Sequence, residues 1–530
     1  MIPHVWTSLP EEAYRSHGFL QQSIRSLVRA SANSQHPPND DEYLELLKRC
    51  GKLPPELITM IWDCISPGSV RSILALPATK HLWSAPSVTN GTATLSLNGD
   101  LVLYYTHAVK QRYVCGLGQG DVVYGHKSEC STAISVPSSE AAMIFTMDIH
   151  GLSQLEFVSE VPSAEPNKTM SDSQFRGVVY PQTEELRVDL KWDIFKIFDI
   201  SPCDKSMFGH DFLWSSILPP FRPSADSFYN WPRHIDFSTQ AQQFMEYIPL
   251  QNQKGMLCGL TAFCSNAGIV GIGTHFLSCP QHSSHEESSF SHWYGRQQGH
   301  PIHFRLGRQE TISSVSVFWE RDDYLPEPYL AVTTSKDETY FLGPYIEPSR
   351  TCTKSLFNAD HGDLQGLYYD KSPGITRFTS LGSIYQPHRH PVPRQAVSAI
   401  PLRQHMEVID ILNPPRFFSQ APFRHVRALV ACYLESRCTG LRLCYHDGTE
   451  RILGQWYEDT DARPKYETLA FRDGSILRFY FANEDGYDLL IRVRVAQDAA
   501  PQADERFCDM MEGDEIYWLF TDYADVIFGG

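Results

Sequence analysis

Two textures of apolar and polar positions divide this chain. From Asp41 to Leu76 the apolar residues recur at helical spacing: Tyr43, Leu44, Leu46 and Leu47, then Leu57, Ile58, Ile61, Trp62 and Ile65, with a further short run from Val70 to Leu76. Side chains three and four residues apart share one helix face, so the second group predicts an amphipathic helix. Pro54-Pro55 stands at its start, where a missing amide donor costs nothing, and Pro67-Gly68 ends it. Ahead of it, residues 1–40 read as an extension, a short helix from Glu11 to Ala30 followed by a polar tail around Pro37-Pro38.

Beyond about residue 85, β-branched and aromatic residues alternate with polar ones in short runs bounded by Gly, Asn, Asp and Pro. This predicts strands at Ala93 to Leu97, Leu101 to Thr106, Met143 to Met147, Val315 to Trp319, Tyr329 to Thr333, Leu441 to Tyr445 and Ile476 to Phe481. The apolar run Ile516 to Phe520 predicts a terminal strand, since it is unfavourable to leave in water. The expected fold is mainly β with a small helical N-terminal segment, α+β overall, its antiparallel sheets forming a β-prism, a sandwich or a propeller. Stretches without periodicity, Val161 to Gln174, Ser278 to Ser291, Pro387 to Gln395 and Asn413 to Pro422, read as interruptions. The resulting divisions are an extension over 1–40, a helical segment over 41–85, and β-rich regions over 90–245, 246–355 and 356–530.

One internal echo stands out. Tyr329-Leu330-Ala331-Val332, a polar turn and Tyr340-Phe341-Leu342-Gly343 run parallel to Gly440-Leu441-Arg442-Leu443, the turn His446-Asp447-Gly448 and Arg451-Ile452-Leu453-Gly454. Asp447-Gly448 suits a primed hairpin turn. An earlier pair, Leu101 to Leu103 and Arg112 to Gly116, has the same order of features with a longer connection. Either repeated units or the commonness of hairpins accounts for it.

At 530 residues and 42% hydrophobic the chain can bury several cores, and 12% aromatic residues with 33 Gly and 35 Pro fit broad strand faces and many tight turns. No apolar run approaches the roughly 20 residues of a spanning helix, and Met1-Ile2-Pro3-His4 does not open a secretory signal. An intracellular protein, cytoplasmic or nuclear, without a membrane partner is expected. The 13 cysteines include no CxxC pair and read as small buried hydrophobes of a reducing compartment. A net charge of −17, with acidic clusters from Asp40 to Glu45 and Asp504 to Glu515, repels polyphosphate, so no nucleic-acid partner is expected.

Catalytic motifs are absent: no Walker loop, GxSxG elbow, HExxH helix or dinucleotide fingerprint. Gly116-Leu117-Gly118-Gln119-Gly120 leads toward Val122 and reads as a hairpin or wide loop. His275, His282, His285, His292, His300 and His303, near Glu286, Glu287 and Cys279, have irregular spacing and read as a solvated loop. His388 and His390 are two ligand types without a third. No metal, no cofactor and no enzymatic activity are expected. Trp293, Tyr294, Trp319, Tyr324, Trp456 and Tyr457 adjoin turns or charges and could serve recognition, with at least half of them expected to be buried.

Leu53-Pro54-Pro55-Glu56-Leu57-Ile58-Thr59-Met60-Ile61-Trp62-Asp63-Cys64-Ile65, continued by Val70, Ile73 and Leu76, resembles the F-box. The resemblance covers about residues 50 to 85, and the family's usual ending is represented loosely by Ala78 to Trp83. It implies that Leu53, Pro54, Leu57, Ile58, Ile61, Trp62, Ile65 and Leu76 dock on a Skp-type adaptor of a cullin ubiquitin ligase. The β region would then capture a protein client. The remainder is similar to the β-rich regions of fungal-type F-box proteins, on residues such as Arg112 to Leu117, Gly151 to Phe157, Gly440 to Gly448 and Trp518 to Phe520. Residues 259 to 345 also resemble a jacalin-type β-prism lectin through Gly268 to Ile272, Trp293-Tyr294-Gly295, Gln309 to Val315 and Tyr340 to Tyr345. The short Gly-x-x-x-Asp sugar loop of that family has no convincing counterpart here. Two readings therefore stand side by side: a ligase adaptor and substrate receptor, or a free-standing lectin-like carbohydrate or small-molecule binder.

Overall fold

The computed structural model describes residues 91–108, 111–137, 142–148, 151–159, 174–179, 186–193, 196–203, 212–215, 217–231, 243–265, 268–278, 289–320, 328–345, 351–371, 377–388, 417–472, 474–484, 486–496 and 506–530. The expected helical segment 41–85, with Leu53, Pro54, Leu57, Ile58, Ile61, Trp62, Ile65 and Leu76, lies outside the described residues.

Among the described residues there are 33 strands and one 3-10 turn, Ala225–Ser227, and every strand pairing is antiparallel. The seven expected strands are present as Gly91–Leu97, Asp100–Ala108, Ala142–Asp148, Ile312–Glu320, Tyr329–Thr334, Arg437–Tyr445 and Ile476–Glu484. The terminal apolar run forms Glu515–Phe520, with Trp518 fully buried. Period-two alternation sets the faces: Leu95 and Leu97 turn inward while Thr92 and Thr94 face water.

The chain divides into two compact units, Met1–Leu218 with Ser238–Phe244, and Pro219–Phe237 with Met245–Gly530. The first unit contains one three-sheet module. Gly91–Leu97 pairs with Leu186–Trp192, which pairs with Ile197–Pro202, so strands early and late in the module share a sheet. A second sheet runs Val122–Gly125, Gln111–Gln119, Asp100–Ala108, Ser131–Ser135, and a third sets Ala142–Asp148 between Gly151–Val158 and Gln174–Val179. Leu101, Leu117, Phe145, Leu152, Val188 and Ile200, drawn from all three sheets, fill one core.

The second unit contains two more modules. In one, Phe228–Asn230 pairs with Ser380–Pro387, and the part of strand Gln243–Pro249 from Met245 onward pairs with Gly362–Asp370; in the other, Phe417–Pro422 pairs with Glu515–Phe520. In both, strands early and late in the module share a sheet, and apolar residues of the two modules form one continuous core, Leu260 and Val317 from the one with Leu441 and Phe479 from the other. Four sheets across the three modules share the order third, second, first, fourth strand.

A glycine pair recurs in three of these four sheets. Gly116 faces Gly125, Gly271 faces Gly295 and Gly440 faces Gly454, and the second glycine of each pair has φ of 93°, 77° or 72°. The next amide then donates to the carbonyl preceding the first glycine: His126 to Cys115 at 2.8 Å, Arg296 to Val270 at 2.8 Å and Gln455 to Thr439 at 2.7 Å. A Cβ on Gly125, Gly295 or Gly454 would lie 2.4 to 2.5 Å from a backbone oxygen, so a side chain cannot replace any of them without displacing the strand.

The echoed hairpins occupy equivalent places, second and third strands of their sheets. Their turns also match: Thr334 N donates to Glu338 O and Asp337 N to Thr334 O, as Tyr445 N does to Thr449 O and Gly448 N to Tyr445 O. Only Asp337 and Gly448 have positive φ in these four-residue connections, so the primed two-residue turn expected at Asp447-Gly448 is not formed. The earlier pair joins first and second strands and is not equivalent. All four expected interruptions are corrected in part: Gln174 begins a strand, Ser278 ends one and Ser289 to Ser291 lie in Ser289–Gly295, Pro387 ends Ser380–Pro387, and Phe417–Pro422 is a strand, because cross-strand pairing organises residues that carry no period of their own. Of the described cysteines, Cys115, Cys264, Cys432, Cys438 and Cys444 are buried and Cys130 is exposed.

Candidate ligand cup at one end of the second module

Three sheet-to-sheet connections, 250–257, 306–312 and 357–364, meet at one end of the second module and enclose an open cup of about 480 Å³. Each connection is pinned by one of its own side chains. Asn252 Oδ1 accepts the Lys254 amide at 2.8 Å, Glu310 Oε2 accepts the Gly307 amide at 3.1 Å, and Asn358 Oδ1 accepts the Asp360 amide at 3.0 Å. Short polar side chains that bond backbone two or three residues away build turns in this way. The cup is accordingly shaped before anything enters it.

Its floor is apolar, with Leu250, Leu306, Ile312 and Phe357 buried and Leu257 and Leu364 half-buried. Its rim is polar: Gln251, Arg308, Gln309, Thr311 and Asp363 are exposed, and Met256 is the one exposed apolar side chain among the lining residues. Gln251 Nε2 donates to Leu364 O at 3.3 Å across the cup, Lys336 Nζ lies 3.7 Å from Glu310 Oε2, and His388 Nε2 lies 3.8 Å from Asp363 Oδ1. The rim thus carries charged groups of both signs, Arg308, Glu310 and Asp363, and the neutral amides of Gln251 and Gln309 and the Thr311 hydroxyl complete it. Nothing in this set is arranged as nucleophile and base. Among the described residues no three His, Cys, Asp or Glu side chains converge as a metal would require.

The adaptor-docking residues Leu53 to Leu76 lie outside the described residues, so the structure neither gathers nor separates them. The histidine stretch is corrected. His275, His300 and His303 are buried on strands, at 2, 5 and 3% exposure, rather than in a solvated loop, because pairing between Gly255–Ser265, Gly268–Ser278 and His300–Arg305 brings them onto one sheet. His292 is exposed as expected but lies on strand Ser289–Gly295, and His282 and His285 lie outside the described residues. Of the recognition aromatics, Trp456 and Tyr457 are buried, Trp293, Tyr294 and Trp319 are half-buried, and Tyr324 is not described. Sequence reading missed the cup entirely. Its signal was only three ordinary turns, at Asn252, Gly307 and Asn358, far apart in the chain. It also missed Lys196, fully buried in the first unit, whose amine burial lowers to about 8 against the opposing pull of Asp193 and Asp148.

No family model matches the chain, and no curated relative matches it. Three solved structures are similar in part. A prostate-specific WGA16 glycoprotein lectin, form II, is 16% identical over 27% of this chain and 91% of its own, with a TM-score of 0.19. Wild-type Malaysian banana lectin is 13% identical over 30% of this chain and 96% of its own, with a TM-score of 0.21. Lamprey immune protein is 10% identical over 54% of this chain and 93% of its own, with a TM-score of 0.16. Two of the three are lectins by name, and at such scores the likeness carries no argument about this chain.

Proposed function

We propose that this chain is a binding protein and that the cup takes a small polyhydroxylated ligand of one or two sugar rings. The observation that carries this reading is an apolar floor beneath a rim of amides, a hydroxyl and charged groups of both signs, in a volume within the roughly 300 to 1,000 Å³ of small-molecule sites. A sugar ring offers an apolar C–H face to such a floor and hydroxyls to such a rim. The test fills the cup. In Ala359→Trp the indole occupies space that Ala359, half-buried on the wall, leaves open. Calorimetric titration with a panel of mono- and disaccharides is expected to show binding to the intact chain that weakens at least about tenfold in the filled variant, with the melting temperature unchanged. No binding by the intact chain, or equal binding by both, removes the reading.

A second function rests on the residue pattern from Leu53 to Leu76 alone. We propose that this segment docks on a Skp-type adaptor, so that whatever the β region holds is brought to a cullin ligase by tethering, without chemistry in this chain. Burial of a large apolar side chain contributes about 1.5 to 3 kcal/mol, so Leu57→Ala with Ile61→Ala is expected to weaken adaptor binding by roughly tenfold or more while the β region melts as before. Unchanged adaptor affinity with a lowered melting temperature would assign both residues to a core instead.

A further inference from the structure

The second and third modules, both within the second unit, meet along a seam. On the second module, strand alternation places Thr261, Phe263, Gly273, His275, Trp293 and His303 on one sheet face, opposite the core residues Leu260, Ala262, Ile272 and Phe304. A Cβ on Gly273 would strike the Trp293 ring, so the glycine lets the indole lie against the sheet. From the third module, Trp456 N donates to Pro301 O at 3.0 Å. Asp459 O accepts Trp293 Nε1 at 3.1 Å, and Arg305 forks between Glu450 at 3.0 Å and Glu458 at 2.7 Å.

Beneath this cover runs a chain of side-chain hydrogen bonds. Ser291 Oγ lies 2.7 Å from His275 Nδ1, Thr261 Oγ1 lies 2.7 Å from His275 Nε2, and the same hydroxyl lies 2.7 Å from His303 Nδ1. His303 Nε2 is buried and has no hydrogen-bond partner. One arrangement satisfies the chain with both rings neutral: His303 Nδ1–H donates to Thr261, Thr261 donates to His275 Nε2, and His275 Nδ1–H donates to Ser291. A proton added at His303 Nε2 becomes a buried donor with nothing to accept it. One added at His275 Nε2 meets a hydroxyl already turned to donate.

We propose that the seam is an acid-released latch, closed while His275 and His303 are neutral and opened by their protonation, which uncovers the face bearing Phe263 and Trp293. The charged groups facing His303 are Glu458, Arg305 and Arg442, besides His275; those facing His275 are Glu458, Asp459 and Arg305. His300, 2.9 Å from Asp522 and in reach of Gln455, Arg437 and Asp525, is a third buried imidazole on the seam. Burial pushes His275 down to about 4 and His303 and His300 below the ordinary histidine range, in each case against an attractive carboxylate. The closed seam is therefore fully favoured above about pH 6.5, and it is lost as pH falls toward 4, because the open face accepts protons that the closed face refuses. Burial raises Glu458, but His303 once protonated, Arg305 and the Trp456 indole bring it down to about 2, so its contribution is lost in the same direction at lower pH.

Amide hydrogen exchange on the full chain at pH 7.5 and 4.5, corrected for intrinsic rates, tests this. The Trp456 amide is expected to exchange on the order of 100-fold faster at pH 4.5 while strands Tyr329–Thr334 and Arg437–Tyr445 stay protected. The variant His275→Asn with His303→Gln is expected to lose most of that response. A Trp456 amide equally protected at both pH values overturns the proposal, as does loss of protection in both strands together with Trp456. These two outcomes are read on the unaltered chain, so they hold even if the variant fails to fold.

Discussion

The cup and one side of the seam belong to the second module and use the same kinds of side chain, yet they satisfy their polar groups in opposite ways. In the cup, Asn252, Glu310 and Asn358 bond amides two or three residues away, and Arg308 and Asp363 on the rim remain open to solvent. In the seam, Arg305 finds Glu450 and Glu458, and Trp293 finds Asp459, partners 145 or more residues distant. Each connection of the cup is pinned by its own side chain, and the fold of the module brings the three together. A site assembled over long range holds only while both modules are folded and apposed, and its buried imidazoles make it sensitive to protons.

The strongest way to break this contrast is to remove a seam anchor. Trp456 is 2% exposed, and its indole N–H donates to Glu458 at 2.9 Å. Trp456→Ala is expected to lower unfolding free energy by about 3 to 5 kcal/mol in denaturant titration, the range for deleting a large buried aromatic. The matching cup variant, Met256→Ala, acts on a side chain 40% exposed and is expected to stay within about 0.5 kcal/mol of the parent. Comparable losses in the two variants would erase the distinction.

The smallest effect sharpens it from the other side. Lys336, 47% exposed, faces Glu310 at 3.7 Å on the cup rim. Because the Gly307 amide already holds Glu310, Lys336→Ala is expected to change stability by less than about 0.5 kcal/mol and to leave saccharide titrations unchanged. A larger loss, abolished by salt, would show that the rim depends on its ion pair.

Much of the fold was legible because alternation is a local property. Leu101 sits in a run whose period of two marks one buried face, Val315 and Leu441 sit in apolar runs buried on both faces, and all three are fully buried. The echo around Gly343 and Gly454 was legible as well, although its meaning required strand order: both hairpins are second and third strands of equivalent sheets. His275, His300 and His303 were misread because their spacing of 25 and 3 residues says nothing once register across three strands decides which rings meet. Phe417–Pro422 was misread for a related reason, since its partner, Glu515–Phe520, lies nearly a hundred residues on.

The sequence by itself determined the β character, the positions of the hairpins and the inward faces of single strands, because these follow from side-chain period and turn chemistry within a few residues. Only the tertiary structure decided that strands early and late in a module share a sheet, that three unremarkable turns converge on one cup, and that His303 ends a buried chain with a bare nitrogen. Those outcomes depend on pairings between segments tens to hundreds of residues apart. Their free energy comes from burying apolar surface jointly, and no local pattern records which segments will be joined.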